Sequence, residues 1–209
     1  MILAVGLLPA LDASAQAPTI TTAAVAVPPE IAAPIAGLLA PQVTTVTTST
    51  TKIELWWVQS LPLGQGVKTP AWSEVAEGTL LGALRIGSAW NEIRGYTIRP
   101  GVYTLRFALQ PQNGDHMGIS PNREFLLLAP AADDTSPAPA GYDGAVELAK
   151  KATRRSHPAS LSIDPPSASA PPLSATTNDL GHQVVIVSLP TSAGAPLTFG
   201  LVVEGTIEH

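Results

Sequence analysis

At 209 residues the chain has room for one domain of ordinary size with some length to spare. Its 21 prolines and 17 glycines, set against only 13% charged residues, argue for a loop-rich β protein and against long, charge-studded surface helices. A formal net charge of -5 leaves no basic footprint for a phosphate backbone, which argues against nucleic-acid binding. The lack of cysteine excludes disulfides, thiolate nucleophiles and cysteine-based zinc sites.

Taken in chain order, Met1 to Gln16 (MILAVGLLPALDASAQ) is apolar and ends in small residues, with Ala13, Ser14 and Ala15 forming an A-x-A-like cleavage signal. Residues 1–17 therefore read as a secretory signal peptide cut near Ala15 or Ala17. Its positive n-region is missing, which points to a start annotated too late. The segment is shorter than the ~20 apolar residues that span a bilayer, and no later stretch qualifies. The expected location is extracytoplasmic, either periplasmic or secreted.

Residues 18–42 read as a leader. Pro18 to Val27 has no hydrophobic period and is expected to stay flexible. Pro28 to Ala40 places Ile31, Ile35, Leu38 and Leu39 on one face of a short helix, which Pro34 would kink.

From residue 43 the pattern turns to strands. Val43 to Thr50 and Lys52 to Gln59 read as a hairpin, in which the adjacent Trp56 and Trp57 must face opposite sides. Leu61 to Trp72, with Pro62, Gly64, Gly66 and Pro70, reads as a long loop. Glu77 to Ile86 and Glu92 to Arg99 follow as strands, the second with a turn or bulge at Gly95. After the Pro100-Gly101 corner, Val102 to Leu109 alternates so that Tyr103, Leu105, Phe107 and Leu109 share a face. Glu124 to Ala129 is a near-continuous apolar run, the signature of a strand covered on both sides. A helix capped by Asp143 carries Val146 and Ala149 on its apolar face and Lys150, Lys151, Arg154 and Arg155 at its negative end. A strand from Ala159 to Ile163 precedes residues 164–180, a Pro/Ser/Ala-rich stretch expected to be a disordered insertion. Gln183 to Leu189 and Leu197 to Gly205 close the chain as a strand pair. Residues 43–206 thus form a single, mostly β domain. It is expected to be an antiparallel β-sandwich, immunoglobulin-like or jelly-roll-like, with one or two short helices and an open barrel as the competing geometry.

The polar loop PQNGDHMGISPN between the two central strands carries the tightest cluster of reactive groups. Asp115 and His116, joined in the fold by His157 or His182, have the ligand types for zinc or copper. Their spacing fits no short metal motif, and the simpler reading is a turn in which Asp115 caps backbone amides. Trp57, Trp72 and Trp90 are candidates for stacking on a sugar ring, with core packing as the alternative. Ser120 in GISPN lacks the G-x-S-x-G context of a nucleophile elbow. Ser156 beside His157 is adjacency only, and Glu74 with Glu77 lies in a loop where spacing says little. The sequence calls for no catalytic residue and no cofactor. It reads as a non-catalytic binding or structural protein, with a cell-envelope protein or a glycan as its partner. The alternatives are a zinc or copper binder, a carbohydrate-binding module or a hydrolase.

The segment GYTIRPGVYTLRFALQPQNGDHMGISPNREFLLLAPAADD, with KATRRSHPASLSI and the closing FGLVVEGT, resembles a family of uncharacterised secreted bacterial proteins. Its members carry a G-x-x-I-x-P-G-x-Y-T-L-R strand followed by a D/N-H-x-G loop. The resemblance implies an exported β-rich domain and assigns no catalytic residue.

Overall fold

A computed structural model describes residues 17–111, 122–166 and 170–206. Its elements in chain order are β1 (Thr19–Ala24), α1 (Ala33–Ala36), β2 (Leu39–Thr47), β3 (Lys52–Val58) and a single 3-10 turn, Trp72–Glu74. There follow β4 (Leu80–Ile86), β5 (Trp90–Asn91), β6 (Thr97–Ile98), β7 (Gly101–Leu109), β8 (Glu124–Pro130) and α2 (Gly141–Thr153). The chain closes with β9 (Ser160–Asp164), β10 (Ala175–Thr177), β11 (Gln183–Leu189) and β12 (Leu197–Glu204).

The fold is mostly antiparallel β. Ten strands form one continuous sheet in the order β1-β2-β3-β4-β7-β8-β9-β12-β11-β10, and β5 and β6 make a separate small hairpin. The large sheet coils so that its two halves face each other across a common core. Trp57 of β3 meets Phe199 of β12 edge to face at 6.0 Å, and Trp72 stacks on Phe107 of β7 at 4.8 Å. Backbone bonds fasten the halves at one end, where the Leu61 amide donates to the Pro190 carbonyl at 2.8 Å. At the other end, the Ser49 and Thr50 hydroxyls of the β2–β3 turn donate to Glu204 of β12 at 2.8 and 3.3 Å.

Alternation decides which side chains enter this core. On β7, Tyr103, Leu105 and Phe107 point inward, and the register pairs Leu105 with Leu128 and Phe107 with Leu126 of β8. The opposite face of β8 carries Phe125 and Leu127, which pack with Ala108 against Ala145, Val146 and Ala149 of α2. The unbroken apolar run of β8 is thus buried on both faces, by the core within and α2 without. The adjacent tryptophans behave as the pleat requires. Trp57 lies in the core, while Trp56 is covered by the chain after β1, donating its indole N–H to the Val25 carbonyl at 3.1 Å.

The structure departs from the sequence reading in five places. The leader is not loose: Thr19 to Ala24 pairs residue for residue with β2, because ladder bonds depend on backbone groups and need no hydrophobic period. The insertion at 164–180 is not wholly unstructured among its described residues. Ala175 to Thr177 pairs with β11, and the Leu173 amide donates to the Ile186 carbonyl at 2.8 Å, so tertiary pairing overrides a low-complexity composition. The helix expected over residues 28–40 shrinks to Ala33–Ala36, bounded by its prolines and by β2, which already starts at Leu39. The strand expected over residues 92–99, with a turn or bulge at Gly95, is split by that turn into the tight β5–β6 hairpin. Asp143 also lies in the first turn of α2 without capping it; the N-cap position is Ala140. Among the described residues no helix is long and apolar enough to cross a membrane.

Candidate functional site

Two buried ion pairs are the obvious places to look for chemistry, and both are spent on internal partners. Arg106 projects from the outer face of β7, 1% exposed, and all five of its N–H groups are used. Its fork grips Asp134 through Nε at 2.6 Å and Nη2 at 2.7 Å. The remaining donors reach the carbonyls of Gly78 (2.6 Å), Ser136 (2.5 Å) and Ala138 (3.0 Å). Thr104 adds a 2.5 Å bond to Asp134. Gly78, at φ +76, is needed here because a Cβ would lie 2.4 Å from the Gly141 nitrogen. The network clamps the loop before α2 onto the sheet. The second pair joins Glu92 to Arg94 Nε at 2.9 Å, while Arg94 Nη2 donates to the Pro158 carbonyl at 2.9 Å. Arg94 and Arg155 also lie over the Tyr96 ring, on which His157 stacks with centroids 5.7 Å apart. This pair ties the β5–β6 hairpin to the segment after α2.

An open cavity lies elsewhere, on the outer face of β9 and β11. The pleat that sends Leu161 and Ile163 inward turns Asp164 outward at the end of β9, level with Gly200 of β12 in the ladder register. Gly200 has no side chain to fill the space; a Cβ there would come within 2.6 Å of Val184 Cγ1 and 3.2 Å of Asp164 Cβ. Chain 170–182 runs over this face. The carboxylate of Asp164, 9% exposed, accepts from Asn122 Nδ2 at 2.9 Å and from Asn178 Nδ2 at 2.6 Å. Asn178 is itself fixed, its Oδ1 accepting the amides of Leu180 (3.1 Å) and His182 (2.9 Å) in an Asx turn. The resulting open cavity of about 410 Å³ is lined by Asn122, Asp164, Thr176, Thr177, Asn178 and Asp179 over an aliphatic floor of Leu180, Val184 and Ile186.

This arrangement presents acceptors over an apolar surface. A carboxylate has about four lone-pair sites, so Asp164 keeps acceptor capacity after receiving two amide donors. Among the described residues, neither Asp164 nor Asp179 has a Lys, Arg or His within salt-bridge distance. A donor-rich ligand can supply the bonds that remain, and its C–H surface can lie on Val184 and Ile186.

The residues singled out from sequence fall as follows. Asp115 and His116 lie outside the described residues. His157 is exposed and packed on Tyr96. His182 is 2% exposed; its Nε2 lies 3.1 Å from the Thr206 carbonyl, and its Nδ1 has no protein partner among the described residues. Each of these two rings is held by its own neighbours, and no group of three or more His, Asp or Glu that could hold a metal occurs among the described residues. Trp57 is 9% and Trp90 4% exposed, so neither offers the open ring face that sugar stacking needs. Trp72 is half-buried, with one face against Phe107. Trp90 also borders a smaller cavity of about 280 Å³ with Thr50, Asn91 and Glu204.

No family model, curated protein or solved structure matches this chain. The pocket residues escaped sequence reading because Asp164, Asn178 and Asp179 sit in the stretch whose composition reads as disorder. The one local signal was N-D-L-G-H at 178–182, a turn sequence placed immediately before a strand.

Proposed function

We propose that this protein is an exported, non-catalytic binding protein that holds a sugar or a related small polyhydroxylated ligand in the cavity beside Asp164. The observation that carries the reading is the convergence of Asp164, Asp179 and the two asparagines over the Val184 and Ile186 floor. Concave sites of a few hundred Å³, mainly apolar with a few placed polar groups, are where small ligands bind. A polyol suits this one because its hydroxyls donate to carboxylates while its C–H face covers aliphatic side chains. The saturation of Arg106 and Glu92 by internal partners supports a structural rather than a catalytic use of the buried charges. Export is supported by the apolar Met1 to Gln16 segment with its small-residue end, by a sequence without cysteine, and by the resemblance of the central hairpin to secreted bacterial proteins.

The test is thermal melting in the presence of a panel of mono- and disaccharides and small polyols, run on the parent and on Asp179→Ala. A binder at a hundredfold excess over its dissociation constant stabilises by about 2.7 kcal/mol. The reading expects such a shift for at least one sugar and its loss in Asp179→Ala, whose exposed side chain is not needed for folding. No shift across the panel, or an equal shift in the variant, refutes it.

A further inference from the structure

The edge strands of the ten-stranded sheet, β1 and β10, do not pair with each other, and these two edges differ. The β10 edge is three residues long, preceded by Pro171 and Pro172 and followed at Asp179 by a charge, devices that discourage pairing. The β1 edge follows Pro18 directly but is neither short nor charged. Thr19 to Ala24 is six residues long, its pairing with β2 runs without a bulge, and the chain from residue 17 to 29 carries no charge. Every residue of β1 except the half-buried Ile20 is exposed.

The bonding pattern identifies which backbone groups are open. The Val25 amide donates to the Pro41 carbonyl at 3.2 Å, and the Val25 carbonyl accepts from Trp56 Nε1, so Val25 faces inward along the sheet. In an antiparallel ladder these directions alternate, so Thr19, Thr21 and Ala23 also bond to β2. Ile20, Thr22 and Ala24 then turn their N–H and C=O groups to the free edge. No other described strand pairs with them.

Three outward residues centred on Thr22 are self-complementary. We propose that β1 pairs antiparallel with β1 of a second copy across a twofold axis through Thr22, extending the sheet from one molecule into the next. Ile20 would then pair with Ala24 of the other copy, Thr22 with its own equivalent, and Ala24 with Ile20. Three such pairs exchange about six hydrogen bonds. At one hydrogen bond per 100–200 Å² these correspond to roughly 600–1,200 Å² of buried surface, the size of weak, transient interfaces. The dimer is accordingly weak and dissociates on dilution. The uncharged strand meets no repulsion from its copy, and a β1–β10 pairing would align only the three residues of the shorter edge. The twofold arrangement also closes, so assembly stops at two copies.

The geometry gives a sharp test, because the chain has no cysteine and Thr22 faces its own equivalent. Hydrogen-bonded antiparallel partners have Cα atoms about 5.5 Å apart, within the range a disulfide spans. Full-length Thr22→Cys should therefore form a covalent dimer under mild oxidation, and exposed Ser156→Cys should form far less under the same conditions. In sedimentation velocity, the parent should shift from monomer to dimer as concentration rises. Thr22→Pro should remain monomeric at every concentration while keeping the parent melting temperature, since it removes only an outward N–H. Equal cross-linking of Thr22→Cys and Ser156→Cys, a parent that stays monomeric, or a Thr22→Pro chain that dimerises like the parent would each overturn the proposal. So would assembly beyond two copies.

Discussion

Removing one partner of the Arg106–Asp134 clamp gives the largest effect that can be worked out from this structure. In Arg106→Met the Asp134 carboxylate keeps only the Thr104 hydroxyl among its side-chain partners, inside a site where it is 3% exposed. The carbonyls of Gly78, Ser136 and Ala138 each lose a charged donor. Breaking a buried pair in this way costs about 3–5 kcal/mol. For a chain of this size each kcal/mol moves the midpoint by roughly 2–4 °C, so calorimetry should show a fall of about 6–20 °C. Adding Asp134→Leu removes the stranded charge and should recover part of the loss. Recovery stays partial because the charged bonds that tie the Ser136 and Ala138 carbonyls to the sheet are still lost, although the Gly78 carbonyl keeps the Ala140 amide as a donor. The double-mutant cycle should therefore show a coupling of at least about 1 kcal/mol. A single-variant loss below about 1 kcal/mol, or strictly additive losses, would refute the description of this network as a buried, fully satisfied clamp.

Tyr103 gives a pH test. Burial pushes its hydroxyl above the usual value near 10, with the Arg99 guanidinium pulling weakly the other way. A proton held more tightly in the folded state contributes stability that is full below about pH 10 and lost as pH rises toward the folded value. Tyr103→Phe should flatten this alkaline fall in a pH series of chemical denaturation curves; an unchanged slope would assign the fall to other groups. At Gly200 the close approach of Val184 and Asp164 predicts that Gly200→Ala costs about 1–3 kcal/mol by overpacking, measured by urea unfolding. A neutral result would mean that the face opens more easily than its contacts imply.

How much of this could be read in advance differs from element to element, for physical reasons. The two central strands were legible because the core face of β7 is apolar at every second residue from Tyr103 to Leu109 and β8 is apolar on both faces; the outward face of β7 is buried as well, but by Thr104 and Arg106, which break the apolar run. Strand β1 was illegible because an edge strand held by backbone ladders needs no apolar period. The same holds for β10, whose three residues are ordered by β11 and not by their own composition. Arg106 sits at an outward position of an alternating strand, where a charge ordinarily means solvent. Its burial depends on a loop about 30 residues further on, and no local pattern records that contact. The cavity was hidden for a related reason. Asn122 lies far in sequence from Asp164 and Asn178, and the three meet only because β8, β9 and β11 are brought together in one sheet.

The most direct test of the binding role is chemical-shift mapping of the isotope-labelled protein against the sugar that most raises its melting temperature. The account predicts perturbations concentrated at Asn122, Asp164, Thr176 to Leu180, Val184 and Ile186, with the Arg106 clamp and the β5–β6 hairpin unmoved. Perturbations centred instead on Trp90, Asn91 and Glu204, or none at saturating sugar, would contradict it.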